Sequence, residues 1–443
     1  MPGSGVSERS DMGRGLRAQV PRSRQADWTP PARRRDPVEI IRGQEAGRIA
    51  SLLPIRHERM GVSPFTYFRG AAAVMAEDLA QTASCGLRVQ ACGDAHLLNF
   101  GIYATPERRL VFDVNDFDET LAAPFEWDLK RLATSLVVAG RDRGFAAAEC
   151  ATAAQAAVAA YRERMLSLAQ MGHLEVWYSR LDANDLVKLG ARAADRRLAA
   201  DVVRKAQQHT NLDALDKLTE VVDGRRRIID SPPLIQHLPE LAGAVDAETV
   251  VGAYVASLAD ATRSLLQRYR PVDWARKVVG VGSVGTDDAV VLLLGDSDAD
   301  PLLLQSKEAT ASVLEPFAGR SPYDNHGRRV VAGQRLIQAA SDLFLGWTRV
   351  GQRDYYVRQL HDNKGSVPVD ALSASELAQY GQACGEALAL GHARSGDPVA
   401  IAAYLGAGER FDLAIASFAA AYADQNAADY ATFVAAMPAP GTA

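Results

Sequence analysis

Short apolar runs separated by polar turns dominate the stretch from residue 88 to residue 119. The run at 89–92 predicts a strand, which Gly93 ends. Two later runs, at 99–103 and 109–114, stand on either side of a turn and predict a β-hairpin. Polar residues follow both the strand and the hairpin, so the pattern brings them together at one end of these elements.

A second pattern of this kind lies between residues 277 and 309. Two apolar runs, at 289–294 and 301–306, enclose a polar turn and predict antiparallel strands. A glycine-rich loop at 280–285 precedes them, and Lys307 closes the last strand. The predicted order is therefore strand, glycine loop, strand, turn and strand.

Most of the remaining chain has apolar residues at helical spacing. Leu129, Leu132 and Leu136 repeat in this way after Pro124, which suits the start of a helix. Similar patterns predict helices at 71–82, 145–170, 183–222, 247–270, 327–345, 374–394 and 398–433. Together with the short antiparallel strands, these helices predict an α+β fold.

The first 36 residues differ from the rest in composition. They are rich in Arg, Ser, Gly and Pro and contain few apolar residues that folding could bury. Such a composition rarely forms a packed core, so it predicts a disordered basic tail over residues 1–36.

Composition and charge narrow the class of protein. A formal charge of −5 gives no global attraction to nucleic acid or to anionic membranes, so neither partner is expected. The four cysteines include no Cys-x-x-Cys pair, which fits reduced thiols better than disulfides or a zinc site. No apolar run approaches the ~20 residues of a membrane helix, and the N-terminus has no signal-peptide core. We therefore expect a cytoplasmic protein.

The polar residues of the first pattern offer oxygen atoms that suit a hard cation. Asp94, Asn99, Asp116 and Asp118 would converge on a small volume. Carboxylates at such range repel one another unless a cation lies between them, and oxygen ligands with few thiols indicate Mg²⁺. The alternative is a polar loop in which Asp and Asn only cap turns.

The spacing of these residues resembles that of kinase-like phosphotransferases. Asp94 and Asn99 stand five positions apart, like the Asp and Asn of the kinase catalytic loop. An Asp-Phe-Asp sequence follows where kinases carry the Asp-Phe-Gly metal site, and Gly-Asp-x-His-x-x-Asn resembles aminoglycoside phosphotransferases and choline kinases. The resemblance implies a catalytic role for Asp94, with His96 bracing the catalytic loop. It implies that Asn99, Asp116 and Asp118 bind Mg²⁺.

The glycine-rich loop has the pattern Gly-x-Gly-x-x-Gly. A dinucleotide-binding fingerprint must open into a helix, whereas this loop runs into an apolar strand. The context instead resembles the hairpin that covers the nucleotide in kinases. The resemblance implies that ATP is bound by Gly280, Gly282, Ser283, Gly285 and Lys307. A glycine-rich hairpin without a ligand is the alternative.

Several further roles come from the same resemblance. Glu315 is the predicted acid that holds Lys307, and Asp128 would brace the catalytic loop from behind. Residues 361–365 would form the hinge beside the adenine. Three arginines before the catalytic loop would either approach phosphates or form ordinary surface ion pairs: Arg56, Arg59 and Arg69.

Over about residues 45–430, the sequence also resembles a bacterial family labelled domain of unknown function 2252. The matching stretches are residues 63–70, 92–101, 115–119, 279–286, 356–360 and 392–397. The acidic motifs precede the glycine loop, which is the reverse of the kinase order. The resemblance implies a kinase-like two-lobed fold permuted in sequence, with a small antiparallel β lobe carrying the glycine-rich hairpin and a larger, mostly helical lobe.

On this basis the chain divides into four parts. They are the tail at 1–36, a helical lobe with the catalytic and metal-binding loops at 37–270, a nucleotide-binding β lobe at 271–365 and C-terminal helices at 366–437. The predicted activity is ATP- and Mg²⁺-dependent phosphoryl transfer to a hydroxyl of an unknown small molecule or protein. A non-catalytic nucleotide-binding module and a nucleotidyltransferase with the same site are the alternatives. Neither the acceptor nor the oligomeric state can be read from the sequence.

Overall fold

The computed structural model describes residues 5–189, 193–208, 211–237, 247–278, 280–360, 365 and 367–437. Helices and short antiparallel strands are both present in this part of the chain, which confirms the α+β class. No helix of the described residues combines enough length with enough apolar character to cross a membrane.

Helices form most of the regular structure. Up to residue 189 they are α1 (Val6–Gln19), α2 (Pro37–Glu45), α3 (Leu53–Met60), α4 (Pro64–Gly70), α5 (Ala72–Leu79), α6 (Phe125–Asp142), α7 (Ala147–Leu168), α8 (His173–Tyr178) and α9 (Ala183–Leu189). The later ones are α10 (Ala193–Gln208), α11 (Asn211–Leu218), α12 (Ala247–Tyr254), α13 (Asp260–Leu266), α14 (Glu315–Ala318), α15 (His326–Ile337), α16 (Ala374–Ser395), α17 (Pro398–Leu405) and α18 (Arg410–Ala436).

The strands are short and pair only with antiparallel neighbours within the described residues. They are β1 (Arg88–Ala91), β2 (Phe100–Ala104), β3 (Leu110–Val114), β4 (Leu121–Pro124), β5 (Thr219–Val222), β6 (Arg225–Ile228), β7 (Ile235–Gln236), β8 (Arg270–Lys277), β9 (Ala289–Leu294), β10 (Pro301–Ala309), β11 (Gly346–Val350) and β12 (Arg353–Gln359). The pairs β1–β4, β2–β3 and β5–β6 stand alone, and six strands form one sheet in the order β11-β12-β10-β9-β8-β7.

Both predicted hairpins are confirmed. Strands β2 and β3 pair around the turn at 105–109, with Phe100 opposite Val114. Strands β9 and β10 pair around the turn at 295–300, with Pro301 opposite Leu294. The alternation of apolar runs and polar turns was sufficient to define these local elements.

The main hydrophobic core surrounds α6. Nearly every side chain of this helix is buried, and α7, α16 and α18 pack around it. Strands β1 to β4 join the same core, with Val89, Phe100 and Val114 buried. The acidic motif therefore lies on short strands and turns that are fixed against a large helical core.

The N-terminal segment is folded, so the prediction of a disordered tail is wrong for residues 5–36. Helix α1 packs on α17, and its Gly13 lies so close that an added Cβ would be 2.2 Å from the carbonyl oxygen of Ala400. Arg34 forms ion pairs with Asp78 at 2.7 Å and with Asp429 at 2.6 Å. Ion pairs and close helix packing hold this segment in place, together with Leu16, Val20 and Trp28, which pack against the main hydrophobic core.

Several elements before residue 270, the predicted domain boundary, pack with the six-stranded sheet. Strand β7 lies at the edge of the six-stranded sheet, paired with β8. Helices α12 and α13 contribute Tyr254, Leu258 and Leu266 to a core that they share with β9, β10 and β12. The elements from 211 to 266 that the structure describes therefore belong with the sheet rather than with the helical core.

Candidate active site

A cavity separates two segments that are far apart in the sequence. One is the acidic loop (residues 94–119) and the other is the glycine loop (residues 280–285), which joins β8 to β9. The lining includes Asp94, His96, Asn99, Asp116, Asp118, Gly280, Gly282 and Ser283, all of them predicted site residues. The described residues Gly285, Lys307 and Glu315 are not part of this lining.

Lys307 nevertheless connects the sheet to the acidic loop. It lies on β10 opposite Tyr356 of β12, and its Nζ is 2.5 Å from Asp118 Oδ2. The Tyr356 hydroxyl donates to the other oxygen of Asp118 at 2.6 Å. Burial opposes the charged amine, but Asp118, Tyr356, Asp116 and Asp288 together raise the pKa of Lys307 well above its ordinary value. The amine is therefore a fixed positive charge.

The acid that holds this lysine was predicted incorrectly. Lys307 pairs with Asp118, whereas Glu315 begins the short helix α14 and lies 3.9 Å from His326 Nδ1. Helix α15, which follows β10, carries Arg329 toward the acidic loop, where it donates to the carbonyl oxygen of Asp118 at 2.8 Å. The lysine partner therefore comes from the acidic loop instead of from a helix after β10.

An arginine holds Asp94 in position. Arg131 Nε lies 2.5 Å from Asp94 Oδ1, and the same side chain donates to the carbonyl oxygen of Phe68 at 3.0 Å. The guanidinium also lies over the Phe68 ring, 4.3 Å from its centroid. Because Arg131 is buried and has three contacts, it fixes the carboxylate of Asp94 at the cavity edge.

His96 is neutral in the folded protein. Burial lowers the pKa of His96 to about 3, against the attraction of Asp94. Its Nε2 is 3.8 Å from Asp94 Oδ2, and its Nδ1 has no hydrogen-bond partner among the described residues. A neutral, buried imidazole beside Asp94 fits the predicted role of a brace better than that of a charged acid.

The predicted contact between Asp128 and the catalytic loop is confirmed. Asp128, in the first turn of α6, accepts hydrogen bonds from the backbone N–H groups of Cys92 at 2.7 Å and Gly93 at 3.0 Å. His392 of α16 lies 3.1 Å from the same carboxylate through Nε2, and its Nδ1 is 2.9 Å from the Tyr161 hydroxyl. This buried network fixes the backbone immediately before Asp94.

The predicted metal ligands offer a partial coordination set. Asn99 Nδ2 donates to the carbonyl oxygen of Asp94 at 2.8 Å, and Asp116 and Asp118 line the cavity beside it. Among the residues that the structure describes, no group of three or more His, Cys, Asp or Glu is arranged to hold a metal ion. Mg²⁺ is commonly held by one or two carboxylates together with substrate phosphates, so the set fits Mg²⁺ that arrives with a nucleotide.

The glycine loop is attached to residues 49–59, which lie before α4. Arg59 Nη1 donates to the carbonyl oxygen of Gly280 at 2.5 Å, and the backbone N–H of Ile49 donates to that of Gly285 at 2.7 Å. Gly280 and Gly285 have positive φ angles of 69° and 96°, a conformation that side chains disfavour. These glycines therefore serve the bend of the loop itself.

A family comparison matches residues 48–436 to a family described as uncharacterized proteins conserved in bacteria, DUF2252. The chain belongs to this family. The comparison with curated proteins found no match, and neither did the comparison with solved structures. The matched range includes every residue of the DUF2252 chain that lines the cavity except Gln44.

Sequence reasoning missed several residues of this DUF2252 site. Arg48 lines the cavity. Arg131 and Tyr356 contact carboxylates of the acidic loop, and His392 contacts Asp128, which supports that loop from α6. A signal existed for Tyr356 and His392, because they lie in two of the stretches that match the family, 356–360 and 392–397. The predicted hinge at 361–365 lies outside the described residues except at Gly365.

Proposed function

We propose that this protein is an ATP- and Mg²⁺-dependent phosphotransferase. The observation that carries the proposal is the ion pair between Lys307 of the six-stranded sheet and Asp118 of the acidic loop. It joins a lysine suited to phosphates to a carboxylate suited to a metal ion, beside a cavity that also contains Asp94. These are the parts that phosphoryl transfer requires.

The order of elements in the sheet supports the proposal. The glycine loop joins β8 to β9, Lys307 lies on the next strand β10, and α15 precedes the last two strands. Kinases likewise place a glycine-rich loop before a lysine on the third strand and a helix after it. The proposed fold is therefore kinase-like and permuted, since the acidic loop comes first in this chain.

Each residue group would have one task. The carboxylate of Asp94 would orient the acceptor hydroxyl and take its proton. The glycine-loop backbone and Lys307 would hold the phosphates, and Asn99 and Asp116 would hold Mg²⁺. Bound Mg²⁺ would neutralise phosphate charge, and the remaining contribution is positioning, because phosphoryl transfer needs little covalent assistance.

The proposed site departs from kinases in how the lysine is held. Residues 326–337 of α15 include no Asp or Glu, so that helix cannot supply the acid that kinases place there. Asp118 takes this part in the ligand-free arrangement. A nucleotide would have to share Lys307 with Asp118 or displace it.

The first test is binding. Millimolar ATP with MgCl₂ is expected to raise the melting temperature, because a ligand that binds only the folded state stabilises it. Unchanged melting, with ATP and Mg²⁺ together or apart, would count against the proposal.

The second test is turnover. Incubation with labelled ATP and fractionated cell extract is expected to yield ADP and a labelled acceptor, and Asp94→Asn is expected to lower the rate by about 10²–10⁴-fold while leaving ATP binding intact. Asp424→Asn, an exposed change on α18, is the control. Mass spectrometry identifies the transferred group, with about +80 Da for phosphoryl and about +329 Da for nucleotidyl transfer. ATP binding without any product would indicate a non-catalytic module instead.

A further inference from the structure

Three arginines form the wall of the cavity that faces the glycine loop and Asp94. Arg48, Arg56 and Arg69 come from the segment that includes α3 and α4, and all three line the cavity. We call them the arginine wall. None of them lies on the six-stranded sheet, although Arg48 donates to the carbonyl oxygen of Val284 in the glycine loop.

Arg56 is buried deeply for a charged residue. Its side chain is 1% exposed and pairs with Glu45 at 2.9 Å, but the same Glu45 oxygen also lies 2.7 Å from His57. Its Nε is buried and has no hydrogen-bond partner among the described residues. Burial and the neighbouring Arg48 lower the pKa of Arg56 to about 10, which shows that positive charge is crowded here.

Arg69 and Arg48 are compensated only at longer range, Arg48 by Glu119, Asp288, Glu45 and Asp118, and Arg69 by Asp94 and Asp370. Neither has a carboxylate within ion-pair distance among the described residues, although Arg69 feels the charge of Asp94. Arg69 Nε is also buried without a hydrogen-bond partner in the described part of the chain. Arg48 donates to the carbonyl oxygen of Val284 and is otherwise turned toward the cavity that it lines.

Crowded guanidinium groups with unsatisfied N–H donors create a site for an anion. Arginine binds phosphate and carboxylate through paired N–H donors, and such charged hydrogen bonds are among the strongest in proteins. A bound anion would supply a counter-charge and hydrogen-bond acceptors for the arginine side chains that line the cavity and would reduce the repulsion between Arg48 and Arg56. The site therefore has both the geometry and the charge for a phosphate-sized group.

We propose that the acceptor substrate carries its own anionic group, a phosphate or a carboxylate, and that the arginine wall binds it while Asp94 receives the hydroxyl. This inference rests on the proposed function. The alternative source of the anion is the nucleotide's own phosphate tail. The acceptor is favoured because Arg69 interacts electrostatically with Asp94 and His96, whereas Lys307 pairs with Asp118.

Calorimetric titration with inorganic phosphate as the probe separates the two sources. The intact protein is first saturated with a non-hydrolysable ATP analogue and Mg²⁺, and phosphate is then added. Phosphate is expected to bind to this complex. Arg69→Gln is expected to lower the affinity for phosphate by about tenfold or more, which is the effect of losing one charged hydrogen bond. Affinity for the ATP analogue is expected to stay within about twofold of the wild-type value, because Arg69 is not one of the residues proposed to hold the nucleotide.

Matched variants show whether a loss of phosphate binding results from misfolding. Arg42→Gln on α2 changes an exposed arginine of the same region and is expected to leave phosphate binding unchanged. Arg48→Gln repeats the test from a second position, and the melting temperature of each variant establishes that it is folded. Arg56→Gln is avoided because that side chain is buried and holds Glu45 and the carbonyl oxygen of Gly70.

Three results would overturn the inference. One is the absence of phosphate binding to the wild-type complex, and another is equal phosphate affinity in wild type, Arg69→Gln and Arg48→Gln. The third is competition between phosphate and the analogue, which would assign the arginine wall to the nucleotide. Failure of the analogue to bind would refute the proposed function instead, and phosphate titration of the ligand-free variants would still decide whether the anion site exists.

Discussion

Lys307 Nζ lies 2.5 Å from Asp118 Oδ2, although the two residues are 189 positions apart in the chain. The lysine is buried on β10, whereas the Asp118 side chain is 30% exposed toward the cavity. Lys307 is therefore fixed within the sheet, whereas Asp118 is accessible from the cavity. This arrangement lets a ligand in the cavity reach the carboxylate without unfolding the sheet.

Lys307→Met tests the pair directly. Because it leaves Asp118 with only the Tyr356 hydroxyl, we expect a loss of stability on the order of 2 kcal/mol, less than for a fully buried pair. Affinity for ATP with Mg²⁺ is expected to fall by about tenfold or more. Urea unfolding and ATP titration measure the two effects, with Lys217→Met as an exposed control. ATP affinity equal to that of the wild type would remove Lys307 from the phosphate site.

Asp128→Asn tests the support of the catalytic loop. The amide would place an N–H donor against the N–H of Cys92 or Gly93, so we expect a cost on the order of 3 kcal/mol. Turnover is expected to fall further than ATP affinity, because the affected backbone positions Asp94 and not the glycine loop. Urea unfolding and initial rates measure these effects, and Asp216→Asn at an exposed position of α11 is the control. Equal losses in the two variants would contradict the assignment.

Asp288 gives a pH-dependent prediction. Burial raises the pKa of Asp288 from 3.8 to about 7, with Lys307 opposing the shift. Between these two values the unfolded chain releases its proton before the folded protein does, so this contribution to stability is complete below about pH 4 and is lost as the pH rises through about 7. The difference corresponds to at most about 4 kcal/mol.

Asp288→Asn removes that ionisation and preserves the geometry. The amide oxygen can still accept the hydrogen bond from Thr286, and the amide nitrogen replaces an oxygen without a partner among the described residues. We expect the variant to gain stability relative to the wild type as the pH rises from 4.5 to 8, measured by urea unfolding. A stability difference that is the same at both pH values would show that Asp288 ionises normally.

Gly13→Val tests the folded N-terminal segment. The new Cβ would meet the Ala400 carbonyl oxygen at 2.2 Å, so α1 must separate from α17. We expect limited proteolysis within residues 5–36 to become faster in this variant. Gly15→Val is the matched control, because nothing lies within 4 Å of its Cβ position and the loss of glycine from the helix is the same. Equal cleavage of the two variants would contradict the observed packing.

The elements that the sequence predicted correctly are local. The two hairpins and α6 follow from runs and repeats within about 20 residues, where period and turn chemistry determine the structure. The acidic residues were placed together for the same reason, since a single hairpin connects Asn99 to Asp116. The local sequence pattern was therefore sufficient to predict that the acidic residues of the candidate site lie close together.

The errors concern contacts between distant segments. Glu315 was chosen as the lysine partner by its place along the chain, but the partner depends on which loop meets β10 in space. The N-terminal segment was predicted to be disordered because it has few apolar residues. In the structure, Arg34 of this segment forms ion pairs with Asp78 and Asp429, which are far apart in the chain. Neither contact produces a periodic pattern in the sequence.

The distribution of the cavity along the chain has a consequence for its biosynthesis. Arg48 leaves the ribosome early, Lys307 emerges much later, and α18, which covers α6 and α7, is among the last elements made. A nascent chain that stops before β10 lacks both the lysine and the strand that carries it. Translation products that end before β10 therefore lack part of the candidate site, and the site is complete only after both distant segments have been made.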